Sequence, residues 1–359
     1  MSAYGAMSMA QAGSAGYRDE ELQAVLGYFT QPEKHHNSFH RYLKSFEQQE
    51  GPVSTIFSQA AFIQSDFEIR EDYKNSLKEN FLATLEGVNF KNNPDEAATV
   101  INKWAKTSTK DKIPTIINPE TMPPNLKFLL AQALYFKGKW LNQFNTEHTK
   151  PGLFLNADLS KTETLFMYQT EELRYHKAEN FQLLSLPFQG NKHSLLLILP
   201  NKDQAKTTVQ MLADNGLTAL NKKLRYQRVR LYLPKFSIEQ NHQLKRPLMA
   251  AGVYNSFTPG KADFSKIAGE PGELFLSDVR QQALIELNET GVVAAAVTTI
   301  PFATRSAFEL DEPIELRFDR PFFFVLQDHS LLDKNAAGAI LFMGYYGMAE
   351  PLPPLRSGD

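Results

Sequence analysis

The sequence of 359 residues predicts an α+β fold, with helices concentrated in the first third and strands after Asn125. In the first third, apolar residues recur three and four positions apart, which is the period of an amphipathic helix. Beyond Asn125, short apolar and β-branched runs are separated by turn pairs such as Gly190-Asn191 and Pro200-Asn201. Helices followed by strands indicate several sheets rather than alternating βαβ units.

Four helices are predicted before Asn125, over residues 19–29, 32–49 and 72–85 and from Pro94 onward. Proline followed by two acidic residues is a typical helix start, because the first turn needs no proline N–H and its dipole favours negative charge. A strand over 55–63 follows the second helix. The inner stripes are Leu22, Val25, Leu26 and Phe29; Phe39, Leu43 and Phe46; Tyr73, Leu77, Phe81 and Leu85; and Ala98, Ile101 and Trp104.

Composition excludes several classes of function. A net charge of −2 argues against nucleic acid as the main partner, and no apolar run reaches the ~18 residues that a membrane span requires. With no cysteine in the chain, disulfides, thiolate catalysis and cysteine-based zinc sites are excluded. The sequence also lacks phosphate-binding loops, zinc-protease motifs and nucleophile elbows, so signatures of catalysis are scarce.

The most informative segment lies between Glu289 and Ser306. Residues 292–304 carry no charge, and residues 292–297 are all small or β-branched. Such a segment can enter a sheet without burying an unpaired charge. Gly291 supplies a pivot before it, because glycine adopts positive φ at low cost. A run of Ala, Val and Thr is often a core strand, but this one indicates a loop that can become a strand.

This segment resembles the reactive-centre hinge of the serpins, whose pattern is glutamate, any residue, glycine, a small residue, any residue and several alanines. The hinge residues are Glu289, Gly291, Val292, Val293, Ala294, Ala295, Ala296, Val297 and Thr298. Six further runs resemble serpin segments and occur in family order: residues 125–140, 144–150, 229–236, 262–265, 320–324 and 338–344. The resemblance therefore covers nearly the whole chain.

The resemblance implies a single serpin domain over 1–359, with three β-sheets, about eight helices and a mobile reactive-centre loop at about 290–316. The first ten residues resemble the middle of a serpin helix that another helix and a strand normally precede. We therefore expect the N-terminal helix to be missing, either through truncation or because the protein has none.

In serpins the residue before the scissile bond lies sixteen positions after the hinge glutamate. Counted from Glu289, that residue is Arg305. Arg305 is also the only basic residue between Thr290 and Leu316. The resemblance thus implies a suicide-substrate inhibitor that a trypsin-like serine protease attacks at Arg305-Ser306, forming a covalent acyl complex. Because the loop after Ser306 is longer than usual, a cut further along stays open. The alternatives are a non-inhibitory carrier or chaperone and an inactive truncated form.

Four further positions correspond to two serpin features: the gate, where two residues face each other across the insertion gap, and the breach, at the top of that gap. Gln132 and Gln281 stand where the family pairs Asn with His across the insertion gap, and two amides can hydrogen-bond to each other. Lys235 and Glu289 match a family salt bridge, with Trp140 packed beside it. A solvated strand end is the alternative interpretation of Glu289.

Helix 32–49 carries Lys34, Arg41 and Lys44, and heparin-binding serpins use the corresponding helix. A glycosaminoglycan site and a plain solvated face are both open, and the solvated face is the simpler interpretation. His36 and His40 likewise fit either a shared metal or a solvated face. We expect no cofactor, metal, nucleic-acid or membrane partner, and a secreted, extracellular monomer, as is frequent for serpins directed at arginine.

Overall fold

The computed structural model describes residues 1–16, 19–27, 32–47, 51–123, 125–289, 312–330 and 338–352. Its helices are α1 (Ser2–Gly13), α2 (Asp19–Leu26), α3 (Pro32–Glu47), α4 (Glu71–Phe81), α5 (Pro94–Ser108), α6 (Ala205–Asn221) and α7 (Lys245–Ala250). Its strands are β1 (Val53–Gln64), β2 (Thr84–Val88), β3 (Phe128–Gly138), β4 (Lys150–Leu155), β5 (Lys161–Lys177), β6 (Phe181–Pro187), β7 (His193–Pro200), β8 (Arg225–Pro234), β9 (Phe236–Gln243), β10 (Asp278–Leu287), β11 (Ile314–Arg317), β12 (Phe322–Asp328) and β13 (Ala339–Tyr346). The predicted α+β class is confirmed.

The four predicted helices are present as α2 to α5, with differences at their ends. Helix α2 ends at Leu26, and Phe29 of its predicted inner stripe lies outside the described residues. Helix α4 ends at Phe81, because Leu82 adopts a left-handed backbone (φ 49°, ψ 34°) and the N–H of Ala83 donates to the carbonyl of Leu77 at 3.1 Å. Leu85, which was predicted to lie on the inner stripe of this helix, therefore belongs to β2. Helix α6 is two helices joined at Gly216, whose φ of 69° lies in the region that favours glycine. Within the described ranges the helix count thus agrees with the expected number of about eight.

The chain packs as two compact units, 1–136 with 238–285 and 137–237 with 286–359. The single domain predicted for 1–359 stays a prediction. In the first unit, helix α1 packs closely because it carries small residues. A Cβ on Gly13 would lie 2.3 Å from Cγ1 of Ile267, so no other residue fits there without a shift. The Tyr73 hydroxyl donates to the Met9 carbonyl at 3.1 Å, linking α4 to α1.

A five-stranded sheet, in the order β2-β1-β3-β10-β9, contributes most of its residues to the first unit. Strand β3 is buried on both faces, which explains its nearly continuous apolar sequence. On one face Phe128 and Leu130 belong to the cluster around α1 and α4. On the other face Leu129 and Ala131 pack with residues of α5. Strands β3 and β10 are hydrogen-bonded neighbours, so among the described residues no strand lies between them.

The second unit contains an eight-stranded sheet in the order β11-β8-β5-β6-β7-β12-β13, with β4 paired to β5. Strand β5 has 17 residues. It pairs with β8 from Phe166 to Tyr175 and with β6 from Arg174 to Lys177. The second and third of the three predicted sheets are therefore one continuous hydrogen-bonded sheet. None of the described helices is long and apolar enough to span a membrane.

Candidate functional site

The end of strand β10 is fixed through Glu289, the last described residue before 290–311. The Glu289 side chain is buried and accepts hydrogen bonds from two directions. Lys235 Nζ lies 3.0 Å from its Oε2, and the Thr149 hydroxyl donates to its Oε1 at 3.2 Å. The Glu289 carbonyl also accepts the backbone N–H of Phe144 at 3.0 Å. The predicted ion pair with Lys235 is thus present, and Glu289 is not a solvated strand end.

Trp140 holds the residue before Glu289. Its indole Nε1 donates to the carbonyl of Asn288 at 2.7 Å. The indole stacks on Phe188, with ring centroids 4.4 Å apart and planes 14° apart, and meets the edge of Phe144 at 6.1 Å. Because Trp140 is only 1% exposed, its position is set by packing, and the Asn288 carbonyl is held with it.

A further ion pair at the same end was missed from the sequence. Lys137 Nζ lies 2.9 Å from Oε2 of Glu286, and both side chains are partly buried. Lys137 is the only charged residue in β3, and Glu286 is the only one in the second half of β10. A lone charge in an apolar strand needs a partner of opposite sign, and that signal could have suggested this pair.

The other end of β10, in the first unit, holds a buried ion pair that the sequence also left unnoticed. Arg280 Nε donates to Asp278 Oδ2 at 2.6 Å, and both side chains are 3% exposed. Asp278 Oδ1 accepts the backbone N–H of Val279 at 2.8 Å. Breaking a buried pair of this kind is costly, because the remaining charge loses its partner.

The pKa of the Glu289 carboxyl reflects opposing effects. Burial raises this pKa, because the charged form loses solvation. Hydrogen bonds from its own backbone N–H, from Lys235 and from Thr149, together with the charge of Lys235, lower it. The net pKa lies below that of an ordinary glutamate, so Glu289 is charged at neutral pH.

The predicted gate residues lie at the same level of neighbouring strands. The Ser277 N–H donates to the Phe128 carbonyl at 2.8 Å. Gln281 lies four residues after Ser277, and Gln132 lies four residues after Phe128. The predicted hydrogen bond between the two amides is nevertheless absent: neither amide atom of Gln132 has a partner among the described residues. Gln132 is fully buried whereas Gln281 is partly exposed, so the two amides end in different surroundings. Their role as a gate stays a prediction.

The remaining hinge residues from Gly291 to Thr298, and the Arg305-Ser306 bond, lie outside the described residues. On helix α3 the three cations Lys34, Arg41 and Lys44 are exposed, so glycosaminoglycan binding there stays a prediction. His36 does not belong to a solvated face, because it is buried with its ring 4.9 Å from that of Phe81. No group of His, Asp and Glu within the described ranges could hold a metal ion.

These features define an α+β protein whose main sheet adjoins a segment of sheet-compatible sequence. The family model described as "Serpin (serine protease inhibitor)" matches residues 1–347, and the chain belongs to this family. The resemblance found in the sequence, and with it the serpin fold, is confirmed. This is a family of protease inhibitors and not of enzymes.

Relatives match along most of their length. The protein Iris of Ixodes ricinus is 30% identical over 343 residues, covering 94% of this chain and 88% of that protein. A leukocyte elastase inhibitor of Xenopus laevis is 31% identical over 359 residues, covering 95% and 89%. The crystal structure of Serpin48 from the insect Tenebrio molitor superposes with a TM-score of 0.83 at 29% identity, covering 98% of this chain and 90% of that chain.

Replacing Glu289 with glutamine should lower the free energy of unfolding at pH 7 by about 1 kcal/mol, a modest value because Lys235 is 42% exposed and partly screened. A carboxyl with a lowered folded pKa stabilises above its unfolded pKa of about 4.3, and this contribution is lost as the pH falls through the folded pKa. Urea unfolding should therefore show a difference between the proteins at pH 7 that shrinks below about pH 4. Glu147→Gln, at an exposed position nearby, is the control. Equal destabilisation at both pH values would contradict the charge-based account.

Replacing Gln132 with methionine should stabilise the native state by about 1–2 kcal/mol, because a buried amide without partners costs free energy that an apolar side chain of similar size does not. Thermal melting of the uncleaved protein measures the change. The matched control is Gln281→Met on the neighbouring strand, where partial exposure should keep the change within about 0.5 kcal/mol. A lower melting temperature for Gln132→Met would show that the amide is paired, for example by a bound water.

Proposed function

We propose that this protein is an inhibitory serpin that acts as a suicide substrate of trypsin-like serine proteases, with Arg305-Ser306 as its reactive bond. One observation carries the proposal. The uncharged segment 292–304 starts three residues after Glu289, at the anchored end of β10, and β10 is a direct neighbour of β3. A segment that starts at the end of β10 and can enter a sheet is suited to insertion between β3 and β10.

The reaction begins as ordinary proteolysis. The protease serine attacks the carbonyl carbon of Arg305, the peptide bond to Ser306 breaks, and the new amine leaves with the proton supplied by the protease histidine. Arg305 is then held as an ester on the protease serine. The long cationic side chain favours a protease pocket that contains an acidic group, which is the basis for a trypsin-like target.

Insertion of the freed segment would supply the driving force. Residues 292–304 would add thirteen residues, and β3 and β10 have 11 and 10, so the new strand would pair along their full length. At about 0.5–1.5 kcal/mol net for each backbone hydrogen bond, insertion would release on the order of 10 kcal/mol. The protease, still attached through Arg305, is displaced and distorted before water hydrolyses the ester.

The location and assembly follow the same proposal. Proteases that cleave after arginine are often extracellular targets of this family, so we place the protein outside the cell, as a monomer. The name of the Xenopus relative indicates elastase as the target of that protein. Here the cationic Arg305 supports a different specificity.

Gel electrophoresis after incubation with trypsin tests the proposal through three variants. The wild-type chain should form a complex that resists denaturant. Arg305→Ala should form none, because the small side chain loses the charge pairing in the protease pocket, whereas Arg305→Lys should retain it. Val292→Arg should be cleaved at Arg305 without forming a complex, since an unpaired charge in the sheet costs several kcal/mol and stops insertion.

Four outcomes would contradict the proposal. Undiminished complex formation by Arg305→Ala would show that another bond is attacked. A stable complex with unchanged stoichiometry for Val292→Arg would show that Val292 does not enter the sheet. Clean cleavage of the wild type without a complex would favour a non-inhibitory carrier or chaperone, and digestion into many fragments would indicate an inactive form.

A further inference from the structure

A cavity of about 570 Å³ opens on the outer face of β5 and β8 in the second unit. The opposite face of these strands is fully buried through residues such as Met167 and Leu231. Tyr168 of β5 is directly opposite Tyr232 of β8, and Tyr232 is opposite Arg317 of β11. The floor of the cavity is therefore a row of side chains that crosses three strands.

Part of the cavity wall is formed by aromatic rings and an aliphatic side chain. The rings of Tyr168 and Tyr232 have centroids 5.1 Å apart. The Phe166 ring lies against the backbone of Gly152, where a Cβ would come within 2.9 Å of ring atom Cδ2. Leu153, at the rim, is 62% exposed. This combination favours a planar apolar ligand, since aromatic rings gain from stacked and edge contacts.

The charges around the cavity are unbalanced. Arg317 lies over the Tyr232 ring, with its guanidinium carbon 3.6 Å from the centroid, and its Nε donates to Glu315 at 2.6 Å. Glu315 is also the acidic neighbour of Arg230, at 4.0 Å, so one carboxylate serves two guanidinium groups. Lys150 adds a third cation that has no ion pair within the described part of the chain. The remaining carboxylate at the cavity, Asp319, is paired with Arg320 at 3.3 Å.

Arg230 can meet a ligand only through the end of its guanidinium group. Its side chain lines the cavity and is 41% exposed, whereas its Nε is buried and has no hydrogen-bond partner among the described residues. A charged guanidinium donates strongly to an anionic acceptor. Together with the surplus of positive charge, this indicates that the ligand is negatively charged.

We propose that this cavity binds a small planar aromatic anion, with one or two rings and a carboxylate or sulfonate group. The rings lie against Tyr168 and the edge of Tyr232, one face of which is covered by Arg317, and the anionic group accepts from the end of the Arg230 guanidinium. The volume lies within the roughly 300–1,000 Å³ that is usual for small-molecule sites. The proposal does not depend on the proposed inhibitory function.

Isothermal titration calorimetry with 2-naphthoate tests the proposal on the whole chain, with 2-naphthylmethanol as an uncharged probe of the same ring size. We expect saturable binding of 2-naphthoate at one site and at least roughly tenfold weaker binding of the alcohol. Arg230→Gln should weaken 2-naphthoate binding roughly tenfold or more. Arg228→Gln is the matched control, because Arg228 is exposed on the same strand and face but does not line the cavity. Glu315→Gln should strengthen binding, because it removes the competing carboxylate.

Thermal melting of each variant shows whether it is folded, and Glu315→Gln keeps the test decisive if Arg230→Gln is not. Absence of saturable binding by the wild type would overturn the proposal. Equal weakening by Arg230→Gln and Arg228→Gln would overturn it too, because general surface charge would then explain the binding. So would equal affinity for the acid and the alcohol, or an unchanged affinity in Glu315→Gln.

Discussion

The buried carboxylate of Glu289 fixes the point at which the main sheet ends and the loop segment begins. Its bonds to Lys235 and Thr149, and the bond from Phe144 to its carbonyl, hold both side chain and backbone. The residue before it is held by the indole of Trp140. Neither Asn288 nor Glu289 can move without breaking these contacts. Insertion would therefore begin at Gly291, where a backbone pivot is available.

Strand β10 is held strongly at its two ends and weakly in its middle. The Asp278–Arg280 pair fixes its start, and the Lys137–Glu286 pair ties its end to that of β3. Between them, the buried amide of Gln132 on the neighbouring strand makes no hydrogen bond among the described residues. An unpaired amide lowers the free energy needed to separate β3 from β10. A sheet that has to accept a strand gains from such a weak centre, provided that its ends keep the strands in register.

Local features of the fold were predictable because they depend on nearby residues. The start of α5 at Pro94 and the inner stripes of α3 and α5 follow from helix periodicity and the helix dipole. The early end of α4 was not predictable, because a left-handed backbone at a leucine has no sequence signal comparable to glycine. The burial of His36 was also missed, because its place among the cations of this helix suggested a solvated position, whereas its ring packs on Phe81.

Contacts between distant residues depended on the family resemblance. Lys235 and Glu289 are 54 positions apart, and no spacing rule would have joined them. The resemblance also placed Gln132 and Gln281 opposite each other on neighbouring strands. The hydrogen bond predicted between their amides was wrong, because Gln132 is fully buried whereas Gln281 is partly exposed. The cavity on β5 and β8 is lined by residues of four strands, β4, β5, β8 and β11. The pair β4 and β5 is far in sequence from β8 and from β11, so no local motif predicts the cavity.

The most direct test of strand insertion is the melting temperature of the chain after cleavage of the loop close to Arg305 by a zinc metalloprotease, which forms no acyl-enzyme and is therefore not trapped as a complex. If residues 292–304 enter the sheet between β3 and β10, the cleaved protein should melt roughly 20 °C or more above the intact protein, as expected for a gain on the order of 10 kcal/mol. Differential scanning calorimetry of both forms, with the cut identified by mass spectrometry, provides the comparison. A cleaved protein that melts at the same temperature as the intact one, or below it, would contradict the claim that this sheet accepts a strand.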